Sequence, residues 1–170
     1  MNRAQFSAGG IATARLIMAA FFFLAGTGKL SNPQFFAMSV LEFKLLPVGE
    51  IGDRLAIGAT FVLPWCEILC AVLLYLGLWT RAAALLTFLL LGGFTGALVS
   101  VIVRGLNISC GCFGDVELFC GDKVTWCNVV RNGVFLGLTA IPLFAGSGGL
   151  GLDALGKARR AAGQGEETGV

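Results

Sequence analysis

Two thiols stand one residue apart in Ile108-Ser109-Cys110-Gly111-Cys112-Phe113-Gly114, just after a long apolar run. A disulfide wants Cα atoms about 4.4–6.8 Å apart, with the Cβ vectors facing each other. Residues i and i+2 reach that only where the chain bends sharply, and Gly111 supplies the backbone freedom for such a bend. A ring this small is strained, and strained disulfides are the more oxidising and labile ones. Cys110 and Cys112 therefore read as a reactive dithiol/disulfide pair. Two other readings stand beside it. In one, Cys110 and Cys112 are structural and bonded elsewhere, with Cys120 and Cys127 as the nearby candidates for a structural disulfide. In the other, all four thiols share a metal. The spacing C-x-C-x7-C-x6-C lacks the paired C-x2-C knuckles of common zinc sites, so the metal reading ranks last and no metal is expected.

The second place with chemistry is Glu67, beside Cys66. A carboxylate deep in an apolar segment costs a few kcal/mol, so it has to be paired, protonated or turned inward. Arg131 is the basic residue best matched to it in depth. Two uses stand level: Glu67 relays protons or contacts a quinone, or it is a polar contact that holds helices together. Cys66 and Cys70 lie four apart on one helical face, where the sulfur vectors suit a disulfide poorly. They read as ordinary small core residues.

The elements that would position these groups are almost wholly hydrocarbon. The chain is 56% hydrophobic and 13% charged, where a soluble domain carries about 25% charged residues. Mean hydropathy is +0.85. A chain this apolar cannot cover itself with polar surface, so an integral membrane protein is expected, in contact with the lipid bilayer. The net charge of +2 gives no footprint for nucleic acid, and with 0 histidines there is no His-ligated haem, Cys–His nucleophile or His-containing zinc site. No P-loop, dinucleotide fingerprint or serine nucleophile elbow is present, and hence no hydrolase, transferase or metal-enzyme signature.

Four spans are expected, at about 11–28, 51–78, 82–103 and 126–145. The first is longer than the apolar part of a signal peptide and has no clear cleavage site after it, so it reads as a retained helix. Between the first two spans, Asn32-Pro33 is a helix start. Phe36, Val40 and Phe43 then recur at helical spacing, which predicts a short amphipathic helix at the membrane interface. Pro64 falls inside the second span. Gly92, Gly93 and Gly96 fall near one face of the third, where they would let a neighbouring helix approach. From residue 146 onward the chain is Gly/Ala-rich and then charged, which predicts a disordered cytoplasmic tail over 146–170. The fold class is all-α: a four-transmembrane-helix bundle, residues 1–145, with a short interfacial helix in the first long loop.

An even number of spans puts both termini on one side, with Arg81. The cations divide equally: Arg3, Arg15, Arg81, Lys157, Arg159 and Arg160 against Lys29, Lys44, Arg54, Arg104, Lys123 and Arg131. The positive-inside rule therefore sets no orientation. Four thiols in one loop suit an oxidising compartment. This places the Cys loop in the periplasm and the termini in the cytoplasm.

Leu24-Ala25-Gly26-x-Gly28-Lys29-Leu30-x-Asn32-Pro33-x-x-Phe36, then Leu46-Pro47, Glu67 and a Leu-Gly-Leu-Trp-Thr-Arg turn ending at Arg81, resemble the DoxX-like group of small four-helix membrane proteins. Within that group, Cys110-Gly-Cys-Phe-Gly114 with Trp126 and Arg131-Asn132 resembles the methylamine-utilisation MauE family, over roughly residues 11 to 145. Cys66, Cys70, Cys120 and Cys127 lie outside the shared pattern. The resemblance implies a factor in the bacterial inner membrane for maturing the small (β) subunit of methylamine dehydrogenase, which carries several disulfides. It also implies a thioredoxin-like periplasmic partner of the MauD type. In that setting Cys110 and Cys112 would be the reacting thiols of a thiol–disulfide oxidoreductase, and a membrane quinone would be the one candidate cofactor. Two alternatives follow from the same residues. One is a non-catalytic scaffold that grips a client through Phe36 or Phe43. The other is a DoxX-like membrane subunit of a quinone-linked oxidoreductase, in which Glu67 matters and the thiols do not.

Overall fold

The structure is a computed structural model describing residues 3–44, 49–106, 108, 120, 123–146 and 151–153. The described residues form five helices: α1 (Arg3–Ser31), α2 (Pro33–Glu42), α3 (Glu50–Leu76), α4 (Thr80–Val103) and α5 (Trp126–Ala145). Four of them, from 20 to 27 residues in their apolar stretches, are long and apolar enough to cross a bilayer. At 1.5 Å per residue each reaches the roughly 30 Å of the hydrocarbon core. The expected class, an all-α four-span protein with a short helix in the first loop, is the class observed.

Local chemistry sets the helix ends. Asn32 caps α2 by accepting from Phe35 N at 3.4 Å, and Pro33 follows in the first turn. Gly77 ends α3 in the left-handed region, φ +67°, with Leu78 N donating to Leu73 O at 3.0 Å. Thr125 begins α5: its N and Oγ1 both donate to Asn128 Oδ1, at 3.0 and 2.8 Å. Arg104, just past α4, donates to the carbonyls of Phe43 at 2.6 Å and Lys44 at 3.2 Å, and so satisfies the end of α2.

Packing is closest between α1 and α3 and between α4 and α5, with α1 also on α5 and α3 on α4. Met18, Phe22, Leu74, Ala84 and Phe135 bring all four long helices into one core. Large apolar side chains such as Phe61, Trp65 and Tyr75 point outward. In water that would be a liability; facing acyl chains it costs nothing. The helix α2 packs on α3 and covers part of the α3–α4 flank. Its apolar stripe faces inward: Phe36 is 2% and Phe43 4% exposed, and Phe43 packs on Leu98 and Val101 near the end of α4.

The glycines that permit close approach are not those expected. A Cβ on Gly92, Gly93 or Gly96 would meet nothing within 4 Å. A Cβ on Gly26 would come within 2.8 Å of Ile68 Cγ1 and 3.0 Å of the Pro64 carbonyl. The close seam is therefore α1 on α3, and the α4 glycines line open space. Small size alone cannot say whether a neighbour is there.

Residues 151–153, within the stretch expected as a tail, lie against the α3–α4 turn. Asp153 N donates to Gly77 O at 3.1 Å. The Asp153 carboxylate accepts from Trp79 N and Thr80 N, each at 2.9 Å, and from Thr80 Oγ1 at 3.0 Å. It thereby supplies from afar the cap that Trp79 cannot give α4. Arg15 of α1 stands within electrostatic reach of the same carboxylate.

Candidate functional site

The closest pairing of α1 with α3 carries the central polar group of the bundle. Lys29 Nζ donates to Glu67 Oε1 in an ion pair whose side chains are 5% and 13% exposed. The Asn32-Pro33 start of α2 lets α1 run on to Ser31, which puts Lys29 inside its last turn. Gly26, one turn earlier, brings the α1 backbone against Pro64 and Ile68, on either side of Glu67. Lys29 Nζ also lies 5.2 Å from the Phe36 ring centroid and 5.6 Å from that of Phe94. Aromatic faces stabilise a desolvated ammonium at such distances. The second carboxylate oxygen, Glu67 Oε2, is buried and has no hydrogen-bond partner among the described residues.

Two cavities meet at this pair. The larger, about 330 Å³, lies between α2, α3 and α4 and is lined by Phe36, Phe43, Leu63, Leu90, Gly93 and Phe94, with Lys29 and Glu67 at one end. The smaller, about 40 Å³, lies on the other side of the pair, towards Arg131 and Asn132. That is room for water, since a cavity needs about 10–15 Å³ to hold one molecule. Asn132 Nδ2 is also buried without a partner there, while Arg131 Nε and Nη2 reach Asn132 Oδ1 at 3.4 Å.

The expected pairing of Glu67 with Arg131 is thus corrected. The counter-ion is Lys29, and Arg131 lines the small cavity beside the pair. Depth along the chain favours Arg131 because an expected span of 11–28 leaves Lys29 outside the hydrocarbon. The signal that could have found it was the helix start at Asn32: a new helix so close behind leaves no room for a loop at residue 29.

Cys110 and Cys112 lie outside the described residues. Cys120 and Cys127 are joined by a disulfide, with Cα atoms 5.7 Å apart, that ties the loop to the first turn of α5. Neither is then left to bond Cys110 or Cys112, and the four-thiol metal reading loses two of its ligands. Cys66 and Cys70 are free thiols, Cys70 fully buried. Phe36 and Phe43, the grip of a scaffold, are turned into the protein and away from any client.

Fold and site define a small multi-pass membrane protein whose polar centre is an ion pair at the seam of its first and second spans. The chain belongs to the MauE family: the family described as methylamine utilisation protein MauE matches residues 8–145. Membership gives the protein a role in methylamine utilisation. No curated protein and no solved structure matches the chain.

Proposed function

We propose that this protein serves the maturation of the methylamine dehydrogenase small subunit, as a membrane thiol–disulfide partner acting through Cys110 and Cys112. The observation that carries the reading is the family match over residues 8–145, which takes in the Cys-Gly-Cys-Phe-Gly loop. The Cys120–Cys127 disulfide supports it by engaging the other two thiols of that loop. It also favours an oxidising compartment, hence a periplasmic loop and cytoplasmic termini in a bacterial inner membrane.

The exchange balances within the thiols. A thiolate of the partner attacks the Cys110–Cys112 disulfide and forms a mixed disulfide. The partner's second thiolate then attacks its own sulfur in that bond, leaving the partner oxidised and Cys110 and Cys112 as a dithiol. The reverse sequence reduces the partner. A periplasmic thioredoxin-like protein of the MauD type is the partner this chemistry fits.

Trapping tests it. Cys112→Ser or Cys110→Ser removes one sulfur and should accumulate a mixed disulfide with a periplasmic protein, visible as a reductant-sensitive adduct. No adduct from either variant, with the dehydrogenase disulfides still forming normally, overturns the reading.

A further inference from the structure

The chamber of about 330 Å³ is in the size range of small-molecule sites, which are mostly apolar with a few placed polar groups. Its polar end sets narrow terms for an occupant. Lys29 and Glu67 neutralise one another, so an anionic head would meet the carboxylate and a cationic one the ammonium. The occupant is therefore neutral and lipid-soluble. Glu67 Oε2, buried without a partner, calls for a hydrogen-bond donor. Lys29 has N–H groups beyond the one given to Glu67, which call for an acceptor. The Phe36 and Phe94 rings beside Lys29 suit a flat body. A ring whose oxygens accept in one state and donate in the other satisfies all of these terms.

We propose that this chamber binds the head ring of a membrane quinone/quinol, with Lys29 donating to a ring oxygen and Glu67 exchanging a proton at Oε2. The inference rests on the thiol–disulfide reading for its electrons. Oxidation of one dithiol to a disulfide releases two electrons and two protons, the amount that converts one quinone to one quinol. Glu67 holds or passes one of those protons, and the small cavity towards Asn132, with room for water, adjoins it.

Binding is tested apart from turnover. The full chain in lipid nanodiscs, its thiols alkylated, is titrated with decylubiquinone and labelled with an azidoquinone whose adducts are mapped by mass spectrometry. Saturable binding is expected, with labels in residues 33–42 and 89–97 that excess decylubiquinone removes. Gly93→Leu enters the chamber at a position where an added Cβ meets no atom within 4 Å. It should weaken decylubiquinone at least tenfold while leaving thermal unfolding unchanged. The proposal is overturned if decylubiquinone binds no more tightly than decanol, if labels map elsewhere, or if Gly93→Leu binds like the parent. Because the thiols are blocked, such a failure leaves the mixed-disulfide result standing. Conversely, decylubiquinone binding without any mixed disulfide would sink only the thiol reading.

Discussion

Lys29 and Glu67 are 38 residues apart in sequence and form an ion pair buried between α1 and α3. Removing one member of a buried pair strands a charge and typically costs about 3–5 kcal/mol, whereas replacing both by apolar groups is often neutral. Lys29→Met and Glu67→Leu should each lower the unfolding midpoint in detergent sharply. The double variant should recover most of the loss. Additive losses in the double variant would show that the two side chains contribute separately.

At Gly26, α1 lies so close to α3 that a Cβ would fall 2.8 Å from Ile68 Cγ1. Gly26→Val places a methyl-bearing carbon against Ile68 and the Pro64 carbonyl and should cost about 1–3 kcal/mol, the usual penalty for overpacking. Gly92→Ala and Gly96→Ala meet no atom and should stay within about 0.5 kcal/mol of the parent. Thermal unfolding of the three variants in one detergent checks the contrast.

Asp153 caps α4 from the far end of the chain. Asp153→Ala leaves Trp79 N and Thr80 N without their acceptor, and loss of such a cap costs about 0.5–2 kcal/mol. Amide exchange at Trp79 and Thr80 should speed up accordingly, while the middle of α4 keeps its protection. Unchanged exchange at both amides would mean the carboxylate does not cap this helix in the membrane.

The Cys120–Cys127 bond closes a loop with a sequence separation of 7, for which chain entropy gives about 2 kcal/mol. Cys120→Ser with Cys127→Ser should lose roughly that amount, and so should the parent under strong reductant. In intact cells, a membrane-impermeant alkylating reagent should reach these sulfurs only after reduction. Labelling without reduction, or none after it, would contradict a disulfide on the outer face.

The four spans were legible because membrane thickness imposes its length on sequence: the expected 126–145 is α5 to the residue, 51–78 and 82–103 shift by one or two residues, and α1 begins eight residues before and ends three after the expected 11–28. The short helix at Asn32-Pro33 was legible for a local reason, its cap and proline. What escaped was pairing across helices. Glu67 announced that it needed a partner, but the choice of Lys29 over Arg131 depends on where α1 stops and which face Gly26 lays on α3. The glycines of α4 looked like a seam and line open space, because a small residue marks approach only when a second helix is there. Asp153 sat in a stretch whose composition predicts disorder, and nothing local marks one aspartate as the cap of a helix that begins at Thr80.

The ion pair also bears on how the chain enters the bilayer. On its own, α1 would carry Arg15 and Lys29 without their carboxylates; a cation costs about 2.5–3.5 kcal/mol at a helix centre on insertion scales, and less in a last turn, where Lys29 stands. The carboxylate that neutralises Lys29 is synthesised only with α3. The smallest nascent fragment that can leave the translocon with Lys29 compensated therefore ends beyond Glu67. Truncation at residue 48 should leave a first span that slips back towards water, and truncation at residue 78 one that is retained.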